Sequence, residues 1–159
     1  MPTGGAETRM KALLAGLLLL LPGAALAHSH EKGDLQVRHP WSRETPPGAK
    51  VGVGYMELRN RGAQPDRLTG AATPAATRVE MHVTVSEREV ARMRHVESFE
   101  IPARSRIQLQ PGGAHLMLMD LVRPLKKGER VPMTLRFERA GEVQIELEVQ
   151  EAGSRHPRH

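Results

Sequence analysis

No cysteine occurs anywhere in the 159-residue chain. That absence excludes a disulfide framework, a thiol nucleophile, a thiolate zinc or iron–sulfur site and a Cys-ligated blue-copper centre. Aromatic residues are almost as scarce: Trp41, Tyr55, Phe99 and Phe137 are the only four, too few for the stacking platforms that single-stranded nucleic acid needs. The formal net charge is +5, yet Lys126-Lys127 is the only adjacent basic pair. A polyanion-binding stripe would cluster its lysines and arginines. Nucleophile-elbow, H-E-x-x-H, phosphate-loop and EF-hand patterns are all missing.

Long apolar runs are missing too, with one exception at the start. Arg9 and Lys11 precede Ala12 to Leu21, which Pro22-Gly23 ends, and Ala25-Leu26-Ala27 follows. A basic flank, a short apolar run and an A-x-A site together read as a secretory signal peptide; the run falls short of the roughly 20 residues that span a bilayer. The expectation is export to the periplasm with cleavage after Ala27. Glu7, Arg9 and Lys11 leave with residues 1–27, which lowers the net charge from +5 to +4. The remainder is long enough for a single hydrophobic core.

Beyond Ala27 the chain alternates at period two. Leu35–His39, Val51–Arg59, Arg78–Val83, Val90–Val96, Arg106–Gln110, His115–Met119, Pro132–Glu138 and Val143–Val149 all read as strands. Turn signals such as Pro46-Pro47-Gly48, Pro111-Gly112-Gly113 and Ala140-Gly141 separate them. The fold class expected is all-β, a Greek-key sandwich or barrel of antiparallel strands spanning residues 34–151. Residues 28–33 are expected to form a flexible His-containing end and 152–159 a disordered His-containing tail.

What the chain does have is histidine and methionine, eight of each. His115-x-Met117 puts an imidazole and a thioether on one face of a strand, and Met119 shares that face. His82 ends one strand run and Met93 lies in the next; a short connection near Ser86-Glu87-Arg88 can bring the two together. Thioether sulfur is soft and favours Cu(I), and imidazole adds a borderline nitrogen donor. Outside the cytoplasm such a set persists where a cysteine pair would oxidise. A methionine in a strand is also an ordinary core filler, as Met56 and Met133 are expected to be. The residues alone leave the copper site and the core reading both open.

The wider pattern is more specific. Ten residues separate His82 from Met93, and twenty-one separate Met93 from His115-x-Met117. With Trp41-Ser-Arg-Glu-Thr-Pro-Pro-Gly48, Tyr55-Met-Glu-Leu-Arg-Asn60, Val79-Glu-Met-His82, Leu109-Gln-Pro-Gly-Gly113 and Val131-Pro-Met-Thr-Leu-Arg-Phe137, the chain resembles the periplasmic PCuAC-type copper chaperones from about Trp41 to Gly141. The resemblance implies a cupredoxin-like β-sandwich that is not an enzyme. It also implies Cu(I) ligation by His82, Met93, His115 and Met117, and delivery of copper towards the CuA centre of cytochrome c oxidase. The acceptor would be oxidase subunit II or a Sco-type protein. One departure stands out: His95 lies where members of that family often have proline. It could be a fifth donor, a proton-sensitive neighbour or simply exposed.

Cleavage after Ala27 would also leave His28-Ser29-His30 at the N-terminus. A free amine, two deprotonated amides and the His30 ring form a square-planar clip for Cu(II), and His156 and His159 add imidazoles at the other end. Two other function classes were weighed. A histidine-brace copper enzyme using His28 would need a second, internal histidine that the sequence does not identify, and a metal-free β-sandwich adaptor would make the His and Met placement incidental. The expected molecule is a monomeric copper carrier, with no membrane span after cleavage.

Overall fold

The computed structural model describes residues 29–158. The expected signal peptide, His28 and His159 lie outside the described residues. Eleven strands follow one another without a helix among the described residues: β1 (Ser29–Lys32), β2 (Leu35–Arg43), β3 (Val51–Asn60), β4 (Asp66–Ala72), β5 (Ala76–Glu87), β6 (Val90–Val96), β7 (Phe99–Ile101), β8 (Ser105–Leu109), β9 (Ala114–Leu121), β10 (Arg130–Phe137) and β11 (Gly141–Gln150). Pairing runs β6-β5-β9-β8-β3-β2-β11-β10-β4-β7, with β1 on β2 and an added β9–β3 pairing.

Alternation explains the inward faces. On β10, Val131, Met133 and Leu135 are buried and lie opposite Leu147, Ile145 and Val143 of β11, while the intervening residues point outward. Met56 and Met133 are fully buried core residues. One apolar cluster gathers inward residues from both halves of the sheet, from Leu58, Leu116 and Leu118 to Leu68, Leu135 and Ile145, so the sheet curls over a single core. On β3 the inward positions Gly52 and Gly54 are glycine for a steric reason. A Cβ at Gly52 would lie 3.1 Å from the Leu125 side chain, and one at Gly54 3.4 Å from that of Leu116.

The all-β class is as the alternation indicates and the cupredoxin-like layering as the resemblance implies, but the sheet is mixed rather than purely antiparallel. β11 runs parallel to β2 through Glu148↔Trp41 to Gln150↔Arg43, and β8 meets β9 in parallel at Leu109↔Ala114. Two internal strands escape the period-two pattern. β4 carries Gly70-Ala71-Ala72 in place of bulky alternation, and β7 is only three residues long.

At both ends of the described residues the backbone has partners in the sheet or beside it. Ser29–Lys32 pairs with Leu35–Arg38 across Gly33, whose φ of 60° is the left-handed start of a two-residue hairpin turn. After β11, the Arg43 Nε donates to the Ser154 carbonyl at 2.7 Å and the Ala152 amide donates to the Glu44 carboxylate at 3.2 Å. The Gln150 amide, oriented with its nitrogen on the His156 carbonyl (3.0 Å) and its oxygen on the Arg158 amide (2.8 Å), holds the segment further along. Residues 152–158 thus lie against the sheet instead of trailing from it, because backbone carbonyls and amides there find partners that hydropathy does not register.

Candidate metal centre

β5, β6 and β9 form one end of the sheet, and the centre lies on their outward face. β5 pairs with β9 through His82↔His115 and Glu80↔Met117, and with β6 through His82↔His95 and Thr84↔Met93. Directly opposed residues share a face. His95, His82 and His115 therefore make one row across three strands, with Met93 and Met117 two residues from its outer members in opposite directions, beside Thr84 and Glu80 respectively. The structure brings all four expected ligands and His95 onto this face.

The imidazoles are held close. The His82 and His115 ring centroids are 5.9 Å apart, with planes 30° from parallel, and those of His82 and His95 are 5.6 Å apart, edge to face. His115 is 4% exposed, and the His82 side chain is 15% exposed. Met117 is partly buried, while Met93 on the edge strand is 63% exposed. This face is thus buried at β9 and exposed at β6.

Hydrogen bonds set which nitrogen of each ring is free. His115 Nδ1 donates to the Gly113 carbonyl at 3.0 Å, and the same carbonyl accepts the Thr84 amide at 3.1 Å. The turn before β9 is therefore tied to both the ring and β5, and Nε2 of His115 keeps the lone pair. His82 Nε2 donates to the Glu80 carboxylate at 3.0 Å, leaving Nδ1 as the acceptor. That Nδ1 atom is buried with no hydrogen-bond partner. A buried, unpartnered ring nitrogen carries a desolvation cost that a metal ion would relieve. A carboxylate on the far nitrogen is also the arrangement that orients a ligating histidine. Among the described residues no three His, Asp or Glu side chains converge to hold a metal by themselves.

Electrostatics favour a neutral ring at His115. Burial pushes the His115 pKa below its ordinary value; the Gly113 carbonyl opposes the shift and the charge of His82 adds to it. Glu80 is held below the usual carboxylate range, first by its bond to His82 and then by Arg78. Arg78 donates to Glu80 at 2.9 Å and to Asp120 at 2.8 Å, which fixes Glu80 from its other side.

Sequence reasoning gave Glu80 no role. The signal was present: a carboxylate two residues from His82 on a strand shares its face. We expect Glu80→Ala to lower affinity for a soft monovalent ion such as Cu(I) about 10- to 100-fold, the usual effect of losing such a partner. Glu80→Gln, which still accepts from Nε2, should recover most of it. Competition titration under anaerobic conditions measures both; equal affinity in all three proteins would remove Glu80 from the centre.

The terminal histidines lie elsewhere. His30 sits opposite Val37 in the β1–β2 hairpin, so an N-terminal clip would have to withdraw residues 29 and 30 from their strand pairing. His156 is exposed and lines a cleft with Arg43, Gln110, Pro111, Gly112 and Arg155, where two guanidinium groups repel a cation. His28 and His159 are outside the described residues.

Comparison with known proteins adds independent findings. Residues 35–149 match the family model described as LpqE-like, a lipoprotein family. A lipoprotein of Leifsonia xyli subsp. xyli, Lxx21020, is 33% identical over 125 residues, covering 78% of this chain and 74% of its own. Among solved structures, the copper-bound PCuAC domain of PmoF2 superposes with a TM-score of 0.69 at 31% identity, covering 78% of this chain and 98% of that domain. The Cu(I) form of DR1885 from Deinococcus radiodurans gives 0.61 at 34% identity, with 82% and 85% covered.

Proposed function

The chain belongs to the LpqE-like family of PCuAC-type domains, and from that premise we propose that it is an exported copper metallochaperone that carries Cu(I) on His82, Met93, His115 and Met117. The observation that carries this reading is the orphaned Nδ1 of His82, in a ring whose centroid lies 5.9 Å from that of His115 on a sheet face that also carries Met93 and Met117. The family is described by a lipoprotein name, which fits export. This chain has no cysteine to carry a lipid, so a cleaved signal peptide and a periplasmic location are the form of export proposed.

The donor set suits release as well as binding. Two imidazoles and two thioethers are neutral, so bound Cu(I) keeps its single positive charge and is not locked in by thiolate. His115 and Met117, on the buried side, anchor the ion. Met93, exposed on the edge strand, is the ligand an acceptor displaces first. Incoming thiolates bind Cu(I) more tightly than a thioether, so exchange runs outward through the exposed β6 side. We propose that the acceptor lies on the route to the CuA centre of cytochrome c oxidase, oxidase subunit II or a Sco-type protein, and that the chain acts as a monomeric carrier rather than an enzyme. Cu(II) capture at the ends is a separate proposal, involving His28 and His30 once the β1 pairing opens.

X-ray absorption on the Cu(I)-loaded protein tests the assignment. The expected first shell mixes nitrogen and sulfur, and it should lose sulfur scattering in Met117→Ala. An all-nitrogen shell would move the copper away from this centre.

A further inference from the structure

The pairing order ends on β6 at one side and on β7 at the other, and the two edges are unlike. β7 has three residues, and its Phe99 and Ile101 are buried. β6 has seven, Val90–Val96, of which the first six are exposed, and it contains no proline. Its outer side presents backbone N–H and C=O groups that no strand among the described residues takes up. Such an edge is a template for an added strand.

Side chains on β6 select what can add. Arg92 and Arg94 lie opposite Val85 and Val83 on one face, whereas Met93 lies opposite Thr84 on the other, the face of the metal centre. β6 carries no acidic residue. Arg94 is bonded to Glu87 at 3.1 Å, and Arg92 has no carboxylate partner among the described residues. A second copy of this chain fits poorly. The register that sets Met93 against Met93 of the copy also sets Arg92 against Arg94, and like charges directly opposed destabilise a strand pair. Carboxylates in the same places stabilise it.

We propose that β6 is the docking edge for the copper acceptor, which adds an extended acidic segment beside it as a further strand. Two carboxylates, two residues apart, meet Arg92 and Arg94 on one face, and the residue between them projects on the other, next to Met93. Main-chain hydrogen bonds supply affinity, and the alternate side chains choose the partner. A cysteine at the middle position arrives beside a thioether that is 63% exposed. Its thiol gives its proton to solvent as its sulfur replaces that of Met93 on Cu(I), and no electron moves. This last step rests on Met93 being a copper ligand; the docking does not.

Backbone-amide NMR of the copper-free protein tests the docking, with two short synthetic peptides as probes. One has a cysteine between two glutamates, and the other has lysines in place of the glutamates. The glutamate peptide should shift the β6 amide signals and slow their hydrogen exchange. From the Cu(I)-loaded protein it should remove copper at least about tenfold faster than the lysine peptide, the low end of electrostatic steering. Arg92→Glu/Arg94→Glu, at exposed positions outside the core cluster, should reverse the preference. Equal effects of the two peptides, or protection elsewhere on the sheet, would overturn the proposal. So would β6 protection that rises with protein concentration alone, which would make the occupant a second copy. Failure of the copper assignment reads differently: the glutamate peptide would still protect β6, while Cu(I) affinity would survive Met117→Ala and His115→Ala.

Discussion

Replacing His115 by alanine is expected to lower Cu(I) affinity about 100-fold or more, beyond what loss of an outer-sphere partner costs, in a chain that still folds. The Nδ1 of this ring is committed to the Gly113 carbonyl at 3.0 Å, so its Nε2 is the nitrogen left with a lone pair to donate. Without it, copper keeps one imidazole, and the buried Nδ1 of His82 has no second ring beside it. The fold should survive because His115 is outside the apolar core cluster, and the Gly113 carbonyl still accepts the Thr84 amide. The pH dependence carries the same signature. Only the neutral imidazole binds metal, and burial keeps the His115 pKa below its ordinary 6.5. In the parent protein, proton competition at His115 thus begins below that value as the pH falls, and His115→Ala loses this component. Anaerobic competition titrations between about pH 5 and 8 measure both effects; parental affinity in the variant would overturn the site.

Trp41→Ala should cost about 3–5 kcal/mol of stability, the range for truncating a buried tryptophan, without altering the ligands. Trp41 is 2% exposed yet absent from the apolar core cluster. It lies on the opposite side of the sheet, where its ring meets Tyr55 at 4.7 Å and the Arg43 guanidinium sits 5.9 Å from its centroid. Arg43 in turn holds Ser154, so losing the indole removes the ring that the guanidinium holding this segment sits over. Chemical denaturation followed by circular dichroism should show the loss. A second readout is earlier proteolysis after β11. A stability change under about 1 kcal/mol would mean that the tail, and not the indole, covers this face.

The particular residues explain what was legible beforehand. Val131 to Phe137 and Val143 to Val149 alternate without interruption, so β10 and β11 could be read almost residue by residue. β6 was delimited at Val90–Val96, the same bounds the structure has. β4 and β7 were not legible, because β7 has only three residues and the inward positions of β4 begin with the polar Asp66 and end in Gly70-Ala71-Ala72, too little apolar alternation to register. Nor was the parallel pairing of β2 with β11, which joins residues more than a hundred positions apart. Around the centre, residue type and spacing singled out His82, Met93, His115 and Met117, but could not say which ring nitrogens were free. The sequence leaves His95 with three readings, and only the register shows that it lies exposed, directly opposite His82.

Composition and period thus decided the chemistry available and the class of fold. A chain without cysteine, with methionine and histidine on alternating strands, can offer a soft ion only thioethers and imidazoles, whatever its final shape. Tertiary structure decided what those groups do together. Strand register aligned three histidines in one row, the Gly113 carbonyl and the Glu80 carboxylate selected the free nitrogen of each inner ring, and the edge position of β6 left one side open. Register, tautomer and exposure arise from contacts between distant segments, and local sequence does not contain them.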